Sequence, residues 1–121
     1  MDGDYERNPI QRIREPRYEL VIIWGSGLED PDDDNIDIEV LTLDGRFSAS
    51  VFTLRNVVSL LDKWRATGEE PNSYFRCSDA VIVDEPITEA LLRRVVADAV
   101  RTGHVKGWER LHDDLEEDED E

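Results

Sequence analysis

The strongest pattern along the chain is an alternation. In "IDIEVLTLDGRFSASVF" (residues 36–52), Ile36, Ile38 and Val40 are interleaved with Asp37, Glu39 and Leu41, and Phe47, Ala49 and Val51 alternate on the return. A period of two sets an apolar face on a core and a polar face toward water, as in half-buried strands. Asp44–Gly45 between the runs tolerates the positive φ of a tight type I′ turn. Residues 36–52 are therefore expected to form a β-hairpin. Upstream, "YELVIIW" (18–24) is β-branched, aromatic and apolar on both faces, which predicts a central strand.

The period changes at Thr53. Leu54, Val57, Val58, Leu61 and Trp64 recur at three and four residues, predicting an amphipathic helix over 53–68 with Thr53 as N-cap and Gly68 as its end. A second helix is predicted over 86–103. Ile87, Leu91, Leu92, Val95, Val96, Ala99 and Val100 share its apolar face, Pro86 or Thr88 starts it and Gly103 ends it. "YFRC" (74–77) and "AVIVD" (80–84) have the length of strands, with a turn at Ser78–Asp79, and "HVKGWERL" (104–111) suits a last short strand or a cover over the core. The order β-β-β-α-β-β-α predicts an α+β fold, an antiparallel sheet with two helices packed on one face. Residues 1–17, mixed in sign, are expected to be an N-terminal arm or edge segment, 18–112 a single domain, and 113–121 a disordered acidic tail.

Charge sharpens this picture. The chain of 121 residues carries a formal net charge of −16, which disfavours direct binding to nucleic acid or to an anionic membrane. Six acids and no base fall in 29–37, and eight acids and no base in 113–121; of the net −16, only −2 belongs to the rest of the chain. Salt adaptation would spread carboxylates over every face, so this concentration argues for a local role. No apolar run approaches the ~20 residues of a membrane span. The first residues lack a signal-peptide core and are too acidic for a transit peptide, so a cytoplasmic location is expected. The single Cys77 excludes an internal disulfide and suits a reducing compartment.

The acidic stretch fails as a calcium loop. Counted from Asp30, Asp32 and Asp34 fit, but Asn35 stands where glycine makes the turn and Leu41 where a bidentate Glu is needed. His104 and His112 are not spaced as zinc ligands. Ser26 in "WGSG" lacks the nucleophile elbow, and Gly25 with Gly27 is too short for a dinucleotide fingerprint. No catalytic residue, metal site or cofactor is expected, and the chain reads as a binding protein and not as an enzyme. Carboxylates at i and i+2 on an extended segment lie about 6.6 Å apart, similar to successive phosphates, so Asp30, Asp32 and Asp34, or Asp37 with Glu39, could fill the basic cleft of a nuclease. A concentrated negative patch also steers a basic partner.

The block from Glu39 to Val96 resembles small acidic immunity-type proteins of bacterial polymorphic toxin systems. The likeness rests on the D-G-R hairpin, Thr53, Leu54 and Asn56 at a helix start, "TGE" at Thr67–Glu69, and "YF…D-VIV…IT", and spans about half the chain. It implies a cytoplasmic inhibitor that binds and blocks a toxin, and supplies no binding residues. Charge reasoning places those at Glu29, Asp30, Asp32, Asp33, Asp34 and Asp37, facing a basic protein such as a nuclease-type toxin, with the tail assisting. Two other readings compete. One is a structural or regulatory module whose acids serve solubility only, and the other is an anti-defence DNA mimic, against which the near-neutral body argues. Exposure of Trp24, Trp64 or Trp108 on an apolar patch would favour a partner surface away from the acid.

Overall fold

In the computed structural model of the chain, residues 10–25, 30, 32–68 and 79–111 are described. Strands β1 (Ile10–Arg14), β2 (Glu19–Ile23), β3 (Asn35–Thr42) and β4 (Gly45–Thr53) come first, followed by helix α1 (Leu54–Thr67), strand β5 (Ala80–Val83), helix α2 (Glu89–Thr102), a 3₁₀ turn (His104–Gly107) and strand β6 (Glu109–Leu111). They build one α+β sheet, ordered β1-β2-β3-β4-β5, with β6 also on β4. The pairings are antiparallel except that β5 runs parallel to β4. Helix α1 lies between these two strands in the chain, as a parallel pair needs a crossover connection.

Alternation builds the core. Leu20 and Ile22 of β2 stand opposite Val40 and Ile38 of β3, which stand opposite Phe47 and Ala49 of β4. With Ile36 and Val51 they form one buried face against Ile87, Leu91, Leu92, Val96 and Ala99 on and before α2, and Val105. Leu20, Ile22, Ile38, Val40, Val51, Leu92 and Val96 are almost wholly inaccessible, each removing roughly 1.5–3 kcal/mol worth of apolar surface from water. Val21 and Phe52 alternate with these residues and are buried outside that cluster.

The helix ends follow their capping chemistry. Thr53 Oγ1 accepts the Asn56 amide at 3.0 Å and Thr88 Oγ1 that of Leu91 at 3.1 Å, while Gly68 and Gly103 close the helices at φ +82° and +86°.

The hairpin turn differs from expectation by one position. Thr42 pairs with Gly45, so the two turn residues are Leu43 and Asp44, and Gly45 opens β4 at φ +142°. Thr42 Oγ1 accepts the Asp44 amide at 3.0 Å and fixes this setting. Within the segment expected as an arm or edge, Ile10–Arg14 form the edge strand β1. Its core-facing Gln11 holds Trp24 Nε1 at 2.8 Å and donates to Glu89 at 3.0 Å, lashing the edge to α2. This bond, more than the nearby Arg93, keeps the Glu89 carboxyl below its ordinary pKa. The expected strand at 74–77 and the tail from 113 lie outside the described residues.

Candidate partner-binding surface

The acidic stretch lies in the connection between β2 and β3 and runs into β3, the middle strand of the order β1-β2-β3-β4-β5. Its own acids shape it. Asp30 Oδ1 accepts the Asp32 amide at 3.1 Å and Asp30 O accepts the Asp33 amide at 2.9 Å, an Asx turn nested in a β-turn. Asp34 Oδ1 accepts the Asn35 amide at 2.8 Å.

Helix α1 anchors this turn. Asn56 Nδ2 donates to Asp33 Oδ1 at 3.0 Å and Ser59 Oγ donates to Asp33 Oδ2 at 2.9 Å. The Asn56 carbonyl oxygen in turn accepts Asn35 Nδ2 at 2.9 Å, so one buried amide ties together the loop, the start of β3 and the helix. Thr53 completes the clamp, its N–H donating to Asp34 O at 3.1 Å and its Oγ1 accepting the Asp34 amide at 3.4 Å. The Asn56 bond first, then the Ser59 bond, hold the Asp33 carboxyl below its ordinary pKa, against partial desolvation.

The expected contact residues therefore take different places. Asp33 spends both carboxylate oxygens on α1. Asp30, Asp32 and Asp37 are exposed and Asp34 is half-buried. Asp37 lies on the solvent face of β3, where Ser50 Oγ donates to it at 2.6 Å. Glu29 lies outside the described residues, as do Ser26, Gly27, Cys77 and His112.

Sequence pattern placed Asn56 at a helix start but gave neither it nor Ser59 a contact with the acidic stretch. The available signal was a weak helix former at the third position of α1, three residues after a capping Thr and inside an apolar stripe. That stripe is not wholly covered. Val57 is buried and Leu61 and Trp64 are half-buried, but Leu54 and Val58 are 53% and 52% exposed. None of the three tryptophans is open to solvent: all are half-buried, and Trp24 and Trp108 pack on the core.

Among the described residues no group of three or more His, Cys, Asp or Glu side chains is placed to hold a metal ion. His104 Nδ1 lies 2.9 Å from Thr102 Oγ1 in the turn after α2. None of the described helices is long and apolar enough to cross a membrane. No family model, curated protein or solved structure matches the chain.

Proposed function

We propose that this chain is a non-catalytic binding protein, an immunity-type inhibitor that blocks a basic partner such as a nuclease-type toxin in the cytoplasm. The observation carrying this reading is the Asp33–Asn56–Ser59 clamp. A surface tract of four aspartates in five residues would ordinarily move as a solvated loop, and fixing it costs self-repulsion and chain entropy. Here Asp33 is spent on fastening the turn to α1 while Asp30, Asp32 and Asp37 stay exposed to solvent. A loop ordered beforehand does not pay that ordering cost on binding, and its charge raises the encounter rate with a basic surface.

The test is capture of the tagged chain's partner from its native cells, with elution by rising salt. The expected result is one basic protein, released at moderate salt and inactive while bound. Converting Asp30 and Asp32 to Asn, which leaves the Asp33 clamp in place, should slow association and flatten its salt dependence. Association kinetics untouched by that change would reduce the acid to a solubilising role. The competing reading, an interaction module working through apolar contacts, draws its support from the exposed Leu54 and Val58.

A further inference from the structure

Beside the clamped loop the surface turns apolar. Leu54 and Val58, four residues apart on α1, line a groove of about 480 Å³ whose rim includes Asp32, Asp84 and Glu85. A second groove of about 510 Å³ shares Leu54, Asp84 and Glu85 and continues past Ile82, itself 49% exposed. The cations on these walls are Arg55 and Arg94, and Arg94 is already bound to Glu85 at 2.7 Å. Apolar side chains on α1 and β5 and acids on the adjoining turns thus lie side by side, the arrangement of an interface core within a polar margin.

We infer that this groove docks a basic segment of a partner protein in which an aliphatic or aromatic side chain sits between Lys or Arg residues. The apolar side chain covers Leu54 and Val58, and the flanking cations meet Asp32 and Asp84. The inference rests on the proposed reading of the acidic loop and adds to it the anchor that charge alone does not provide, since exposed ion pairs contribute little and are screened by salt. An acidic peptide or an anionic membrane would meet the rim with like charge. A second copy joined by a two-fold axis through the groove would bring the same acidic rim onto itself, which is also repulsive.

The probes are two labelled peptides, one alternating leucine with lysine and one alternating serine with lysine, titrated into the full chain at low salt while its Leu, Val and Ile methyl signals are followed. The leucine peptide should bind about tenfold more tightly, from burial of one or two side chains, and shift the methyls of Leu54, Val58 and Ile82. The double variant Leu54→Ser with Val58→Ser, at exposed positions and checked for an unchanged fold by circular dichroism, should lose that tenfold preference and keep the weaker binding of the serine peptide. Equal affinities, shifts centred elsewhere, or a preference surviving in the variant would overturn the groove assignment while leaving the acidic-loop reading intact. Failure of both peptides to bind would remove both. Sedimentation showing a dimer that the double variant dissolves would assign the groove to a second copy and overturn the inference.

Discussion

Asp33 and Asn56 act as one unit. Each carboxylate oxygen of Asp33 accepts a bond from α1, and both polar ends of the Asn56 side chain are occupied. The pH dependence follows from the direction of the Asp33 shift. Its pKa is lowered in the folded state, so its contribution is present above the unfolded carboxylate pKa and lost as pH falls through the folded value. In urea titrations below about pH 4, the wild-type midpoint should therefore fall more steeply than that of Asp33→Asn, which starts less stable. Parallel acid limbs would mean the clamp does not depend on charge. Neither partner is legible from periodicity, because hydrogen bonding between a loop and a helix about 23 residues later leaves no local signature. The turn shift is of the same kind: Asp44–Gly45 has the right residue types, but the Thr42 hydroxyl and the pairing of Thr42 with Gly45 set the turn one residue earlier.

Elements were more legible than contacts because their periods are written in the chain. The hairpin and both helices follow their patterns, since buried Ile38, Val40 and Leu92 leave one register free of cost. Strand β1 was obscured because its core-facing positions are Gln11 and Ile13, and a glutamine breaks the alternation that marks a strand. The parallel entry of β5 was hidden for another reason: strand direction depends on the connection, and the apolar run "AVIV" reads alike both ways. The two helices should then answer differently to truncation. Leu92→Ala, at a fully buried position of α2, is expected to cost about 2–5 kcal/mol. Val58→Ala, on the open side of α1, should stay within about 0.5 kcal/mol. Equilibrium urea unfolding of both variants measures this, and a Val58 cost matching that of Leu92 would show the α1 stripe to be covered in solution.

Across the whole molecule, charge is arranged along the sheet. The clamped acids lie at the start of β3, while at its far end a groove of about 670 Å³ carries Arg17, Arg101 and Lys106 beside the exposed Leu43. Arg101 is paired with Asp98, and Lys106 with Asp44 at 3.3 Å. A net charge of −16 also repels itself, so screening should stabilise the fold. Raising sodium chloride from about 20 to 200 mM, which shortens the screening length to within the size of the domain, is expected to raise Tm. A falling Tm would mean that attractive ion pairs such as Arg93–Glu15, 2.9 Å apart, outweigh the self-repulsion.

Strand β4 holds two partners along one flank, β5 beside Ser50–Thr53 and β6 beside Arg46–Ser48. The second contact joins Arg46 to Leu111, about 65 residues apart in sequence. Closing so long a loop is entropically unfavourable before any bond is made, though the added cost grows only with the logarithm of its length. The hairpin β3–β4, whose ends are adjacent, faces no such delay. The chain should therefore assemble in two tempos, with the hairpin forming within microseconds and the β6 closure lagging toward the slower rates of folds rich in distant contacts. Until that closure, the first half of β4 is an open edge, and those moments set how readily the chain adds a foreign strand in place of its own.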